Sequence, residues 1–589
     1  MTDVVAPPHP AAALARWIGE FFHAVREGLP LGGLFHAEAS WRDLVALTGD
    51  LRTFDGRDAI VAELAGTAGT AGTAGTAVSP IFDEVVSIDR NDRAIRDAWE
   101  VVFRFRTAAG QADGVVRLVD DGGELRAWTL MTSLRALHPE LARIPPERPS
   151  DAAYEGQERR NWLDFRTLES SYADREPEVV IVGAGQCGLA LAARLRQAGV
   201  DALLVDRFAR VGDNWRLRYH VLRLHNEKGS NHLPYLPFPE SWPTYIPKDK
   251  LGDWLEAYAS AMELNVWTST EFRSGEFDAG SATWTVEVDR AGERRVLRPR
   301  HLVMAIGVSG TARRPDIPGL EDFRGDIVHS SEYVQGAAYR DKAALVVGSG
   351  VSGHDIAQDL YWHGARVSLM QRSSTIIASL RPGAEKVYAH YRSDEPLERL
   401  DLLNVSVPYP VKRVRAQRLT SEIAQLDRDL LDQLDAVGFR THTGSDGTGF
   451  QMQFLRAGGG YYIDVGCSQL IAAKEIEVLD AHTLSRVTAD GAEFADGSHR
   501  RFDVIVLSTG YESVSDAVAR MLGPETAAEV GPVWGLDAEG ELRNICRPTA
   551  HEKLWFIAGG LAEARIYSRY LALQIEADFA GVPLPAGPR

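Results

Sequence analysis

Cysteine is scarce: 3 in 589 residues, at Cys187, Cys467 and Cys546. That is too few for a disulfide framework. No CxxC pair or Cys/His cluster has metal-ligand spacing, which excludes a structural zinc site and a dithiol redox centre. The usage suits a reducing cytoplasm, the expected location. Long apolar runs are missing as well. No stretch of about 18 apolar residues occurs, so no membrane span is expected. Met1 to Pro10 lack a basic segment followed by an apolar one, so no secretory signal is expected. Positive charge is in deficit: 64 Lys and Arg against 82 Asp and Glu give a net charge of −18. No basic stripe stands out, which argues against a nucleic-acid partner. The run Lys412–Arg418 reads as one charged helix face.

What is present is ordinary for a soluble globular chain, with 45% hydrophobic and 25% charged residues. The length suggests roughly three to five domains. The segment 1–145 reads as helices followed by strands. Leu14, Trp17, Ile18, Phe21, Phe22 and Val25 lie at helical spacing within Ala11–Arg26, and a second helix starts near Gly56. Ala65–Ala77 is an Ala-Gly-Thr repeat, an exposed extension. Alternating segments Phe82–Asp89, Ala94–Thr107, Gln111–Asp120 and Leu125–Ser133 follow. Helices before a curved antiparallel sheet make an α+β cone. Residues 146–176 are a linker, Pro- and charge-rich over Ile144–Glu158, ending in an amphipathic docking helix, Trp162–Tyr172.

From Pro177 the chain alternates strands and helices, as parallel α/β sheets do. Glu178–Val182 is an apolar, β-branched run, followed at once by Gly183-Ala184-Gly185-Gln186-Cys187-Gly188. Gly183 permits the tight turn, Gly185 lets backbone approach a diphosphate, and Gly188 allows close helix–strand packing. The helix that follows directs free N–H groups and its positive end at the phosphates. Asp206 and Arg207 close the next strand, about 20 residues beyond the loop, where an acid accepts ribose hydroxyls. Cys187 reads as a packing residue.

The same grammar returns at Ala344–Val347, Gly348-Ser349-Gly350-Val351-Ser352-Gly353 and the helix His354–Trp362. At the end of the next strand Arg372 and Ser373 stand where the first loop has its acid. A cation and a hydroxyl there suit a 2′-phosphate, hence NADPH. NADH remains compatible, since Arg also stacks on adenine. Two such Rossmann-like folds predict two cofactors exchanging a hydride. Asp206 favours FAD in the first, over 177–335 and 501–589, and Arg372 favours NADPH in the second, over 336–500.

Between the loops lies Phe323-x-Gly325-x-x-x-His329-x-x-x-Tyr333. This resembles the fingerprint of class B flavoprotein monooxygenases, the flavin-containing and Baeyer–Villiger group, and Tyr333 leans to the flavin-containing side. Gly212–Arg216, with Trp215 and Arg216, resembles the family's flavin loop. Ser508-Thr509-Gly510-Tyr511 resembles its second dinucleotide crossing. Leu554–Gly560 resembles the strand leading to the flavin ring, and Gly459–Gly466 is shared with YUCCA-type enzymes. The likeness spans about 177–581. The segment ahead of it resembles NTF2-like (SnoaL-like) domains and, placed before such a core, the type II flavin-containing monooxygenases, some of which accept NADH and perform Baeyer–Villiger oxidation.

The resemblance implies a reaction through a C4a-(hydro)peroxyflavin. One oxygen atom of O2 goes to a small ketone or a soft N or S atom. Where the family places an Asn near the flavin, this sequence has His225 and Asn226 at equal weight. His329 reads as a hinge residue oriented for cofactor movement. Substrate choice is expected in the helical insertion 381–459, with Tyr388 and Tyr391. The N-terminal unit could serve as a lid, a homodimer surface or a relic pocket. The competing reading is an NADPH oxidase, or a flavin reductase without oxygen insertion whose N-terminal module binds a partner.

Overall fold

The computed structural model describes residues 11–69, 80–91, 95–143, 161–582 and 584. The linker 144–158 and the repeat beyond residue 69 lie outside them. Among the described residues no helix is long and apolar enough to cross a membrane.

Two sheets of the same design carry the two glycine loops. The first runs in the order Leu554–Phe556, His301–Met304, Val179–Val182, Ala202–Val205, Asn265–Trp267, with every pairing parallel. The second runs Asp326–His329, Val504–Leu507, Ala343–Val347, Arg366–Gln371, Glu477–Asp480, again all parallel. In both, the loop-bearing strand is central and nearly wholly buried, as its continuous Val/Ile/Leu composition requires. A three-stranded antiparallel meander is inserted in each sheet, Thr270–Leu297 just before His301–Met304 in the first and Leu484–Arg501 just before Val504–Leu507 in the second. Asp326–His329 and Val504–Leu507 both pair within the second sheet, so that unit extends past the expected limits of 336 and 500.

An insertion follows the second sheet's Arg366–Gln371. Its base is a parallel pair of strands, Ile376–Ser379 and Tyr461–Asp464. Its body is the helices Leu397–Val405, Tyr409–Leu426, Arg428–Ala436 and Gly449–Ala457. The sequence suggests one helix across Val411–Val437. The chain instead breaks at Asp427, whose carboxylate accepts from the Ser379 amide at 2.8 Å.

The N-terminal unit is a six-stranded sheet, Leu51–Asp55, Phe35–Leu44, Glu124–Leu137, Gly110–Asp121, Ala98–Arg106, Ile81–Asn91 in spatial order. All its pairings are antiparallel except that of Phe35–Leu44 with Glu124–Leu137. Helix Ala11–Glu27 packs Trp17, Phe21 and Phe22 against Phe35, Phe103 and Phe105. The sheet's other side meets the C-terminal helix Leu561–Phe579, where the Ser133 and Tyr570 hydroxyls lie 2.9 Å apart.

Candidate active site

Gly183 has φ +109°, and a Cβ there would stand 2.6 Å from the Ala305 carbonyl oxygen. Only glycine fits that turn. A Cβ on Gly188 would overlap the Gly183 carbonyl, so the helix Gln186–Gln197 packs directly onto the strand end. Asp206 accepts from the amides of Ala184 at 2.7 Å and Phe208 at 2.9 Å. Burial pushes its carboxyl up, and the two amides pull it back toward the usual range. Gln186 donates to the Gly559 carbonyl at 3.1 Å and accepts from the Trp215 indole at 3.3 Å. Through these bonds the loop is tied to the end of the Leu554–Phe556 strand.

The second cradle repeats the same turn. Gly348 has φ +112° and faces the Ser508 carbonyl, Gly353 lies against the Gly348 carbonyl, and Gly350 has open space where a Cβ would go. The Ser349 and Thr375 hydroxyls are 2.7 Å apart. Arg372 is exposed, and its guanidinium takes no partner among the described residues. Its backbone is fixed, with its carbonyl accepting from Arg440 at 2.9 Å and lying 3.1 Å from His482 Nε2. Arg440 is itself held by Asp480 at 2.8 Å.

Both cradles open into one cavity of about 1720 Å³. A pocket for one small ligand measures roughly 300–1,000 Å³, so this one has room for two dinucleotides and a substrate. It is lined by Gly183, Gly185, Asp206, Arg207, Trp215, Gly348, Ser349, Gly350, Ser352, Arg372, Ser373, Thr509, Gly510 and Tyr511. His225 and Asn226 line it too, with no side-chain hydrogen bond among the described residues, and His225 interacts electrostatically with the buried Asp355 carboxylate. Gly188 and Gly353 lie beneath the loops as packing positions.

Two residues sit elsewhere. Arg216 is turned to Asp213, Asp253 and Glu256, at 3.0, 3.0 and 2.7 Å, and does not line the cavity. His329 is fully buried. Its Nδ1 is 2.8 Å from Ser331 Oγ, and its Nε2 is 3.1 Å from the Gly510 carbonyl. Burial lowers its pKa and keeps the imidazole neutral. It braces the Ser508–Tyr511 crossing from behind.

The cavity wall also holds residues that no local motif announces: Arg42, Tyr409, Lys412, Glu541, Glu563 and Tyr567. They come from the N-terminal sheet, the insertion, the loop ahead of Leu554–Phe556 and the C-terminal helix. Their only sequence signal is that arginine and glutamate are costly to bury unpaired.

Two dinucleotide cradles facing one cavity define a two-cofactor oxidoreductase. Residues 177–397 match the family model described as pyridine nucleotide-disulphide oxidoreductase. The rice (Oryza sativa subsp. japonica) indole-3-pyruvate monooxygenase YUCCA1 is 35% identical over 344 residues, covering 57% of this chain and 77% of the relative. The probable indole-3-pyruvate monooxygenase YUCCA4 of Arabidopsis thaliana is 30% identical, covering 57% and 76%. Among solved structures, OTEMO in complex with FAD and NADP superposes with TM-score 0.53 at 17% identity, over 69% of this chain and 85% of that one. Cyclohexanone monooxygenase bound to ε-caprolactone gives 0.51 at 16% identity, over 69% and 88%. This chain belongs to the flavin monooxygenase family, with the YUCCA-type enzymes among its relatives. It is an oxidoreductase of the flavin-dependent monooxygenase class.

Proposed function

We propose that the protein uses FAD and NADPH to insert one oxygen atom of O2 into a small organic substrate held in the shared cavity. The observation that carries this reading is the pair of matched glycine cradles opening on one space. Bound there, FAD would supply the redox chemistry with the nicotinamide and the activation of O2. The protein's part is to hold, orient and exclude water.

In this reading the first loop and the N-terminus of Gln186–Gln197 hold the FAD diphosphate, and Asp206 accepts from its ribose. Gln186 and Trp215 fix the loop against Gly559. The second loop and helix Val351–Trp362 hold the NADPH diphosphate. His225 and Asn226 are polar groups free to meet the reacting end. His329 is a positioning residue for the Gly510 loop. The N-terminal unit is read as NTF2-like, a reading supported by a long helix packed on a six-stranded sheet with a second helix beside it. The substrate is a ketone, oxidised in Baeyer–Villiger fashion, or a soft N or S centre. Product assay against NADPH consumed, over a panel of ketones and sulfides, tests the reading. One product per NADPH supports it. Quantitative release of hydrogen peroxide with every compound would establish the oxidase reading instead.

The free guanidinium of Arg372 is assigned to the 2′-phosphate. A charge-assisted hydrogen bond is worth about 1.5–3 kcal/mol, or roughly 10–150-fold in binding. Arg372→Ala is therefore expected to raise KM for NADPH by that factor while KM for NADH moves less than about twofold. Equal losses for both donors would remove the assignment.

A further inference from the structure

Helix Leu397–Val405 of the insertion ends on the cavity wall, where Asn404, Val405 and Val407 line the chamber. Carbonyls at the end of a helix find no partner within it, and that end carries partial negative charge. Here two of them are served by arginines of the N-terminal sheet. Arg42 donates to the Val405 carbonyl at 2.8 Å. Arg117 donates to the Ser406 carbonyl at 3.2 Å and to Ser406 Oγ at 2.7 Å.

The strand register brings both arginines to one helix end. Arg42 stands beside Met131 and Arg117 beside Thr129 on the strand between them. Residues two apart on a strand project from the same face. Arg117 is almost enclosed, at 5% exposure, and Glu100 accepts from its Nε at 2.8 Å. Ser406 is wholly buried, and its hydroxyl donates to the Leu403 carbonyl at 2.7 Å.

The start of the same helix is held as well. Arg399 donates to Ser87 Oγ at 3.0 Å and to Asp89 at 2.8 Å. Beyond the helix, Val407 packs with Ala98, Val119 and Trp128 of the sheet. The helix is thus fixed to the N-terminal sheet at both ends. Arg42 also lines the cavity, so the seam between sheet and insertion runs into the chamber.

We infer that Arg117 is a positioning residue of the reaction chamber. With Arg42 it caps helix Leu397–Val405 from a separate unit, and so holds the Asn404–Val407 wall shut against solvent. This deepens the oxygenase reading, in which the chamber excludes water, but its test needs no turnover. Lysine at position 117 would keep a charge beside Glu100 and lose the planar fork that spans the Ser406 hydroxyl and carbonyl. The Ser406 amide, which donates to the Leu402 carbonyl at 3.0 Å, is the reporter. In the FAD-loaded enzyme, Arg117→Lys is expected to speed amide exchange across 402–407 at least roughly tenfold, with 110–121 unchanged. Quenching of the flavin fluorescence by iodide should rise at least about twofold, because the wall opens more often. Ser406→Ala leaves the Arg117–Glu100 pair intact and should move both readouts the same way. Combined with Arg117→Lys it should add less than about twofold to either, since the two residues share one interaction. A folded Arg117→Lys protein with unchanged exchange or unchanged quenching would overturn the inference. If that variant does not fold, the same result for Ser406→Ala would overturn it, and so would full additivity in the double variant. If both readouts move as expected but every compound in the panel yields only hydrogen peroxide, the wall stands and the oxygenase reading falls.

Discussion

Gly183→Ala is expected to give a colourless protein, and Gly348→Ala a yellow one that NADPH no longer reduces. The two substitutions add the same methyl group at equivalent turns. Both glycines have φ near +110°, at +109° and +112°, where an L side chain costs about 1–3 kcal/mol. Both also face backbone, the carbonyls of Ala305 and Ser508, which cannot rotate aside as a side chain would. Overpacking of that kind costs about 1–3 kcal/mol more. Together these displace the loop on which a diphosphate would rest, for an expected loss of at least roughly tenfold in cofactor affinity. Flavin content from the visible spectrum and the rate of anaerobic bleaching by NADPH are the measurements. Because the perturbation is the same in both, a difference in outcome reports which cradle serves which cofactor. Colour lost in Gly348→Ala and kept in Gly183→Ala would reverse the assignment.

These two turns were legible in the sequence because their signal is local. A β-branched run, glycines at fixed offsets and a helix N-terminus all fall within about 15 residues. The strand Phe35–Leu44 was not legible. Its last six residues are all buried, so it lacks the period-2 alternation that marks a half-solvated strand. Leu51–Asp55 is only five residues long and offers too short a pattern. Arg216 was misplaced for a geometric reason. It does stand in the flavin-loop motif, but the single helical turn Asp213–Arg216 carries its side chain round to Asp253 and Glu256. The 326–329 and 504–507 strands were credited to the first unit or its border because pairing partners in a parallel sheet are remote in sequence. Lys412 illustrates the same limit. In the sequence it belongs to a charged helix face, and only the fold shows that Lys412 itself lines the cavity.

Arg42→Met is expected to destabilise the docking of the N-terminal sheet by about 3–5 kcal/mol, the usual effect of removing one partner from a buried ion pair. The pair is almost wholly enclosed, with side-chain exposures of 8% for Arg42 and 5% for Glu541. Arg42 also donates to the Val405 carbonyl at 2.8 Å and the Tyr567 hydroxyl at 3.1 Å, so one side chain joins the sheet, the insertion and the C-terminal helix. Burial works against the Glu541 carboxylate, yet Arg42, Thr53 and Arg547 together hold its pKa below the usual range. Methionine would fill much of the volume and leave that carboxylate without its principal partner. Lys412 would be drawn toward it, which sets the lower end of the expected range. The change should appear as faster hydrogen exchange in Phe35–Leu44 and Leu51–Asp55, with the dinucleotide sheets unaffected. The double variant Arg42→Met/Glu541→Leu separates charge from packing. Replacing a buried pair with apolar groups of similar volume is often neutral or stabilising, so exchange in those strands should return close to that of the parent. Protection that stays low in the double variant would mean that the bonds to Val405 and Tyr567, and not the ion pair, hold the N-terminal sheet against the cavity.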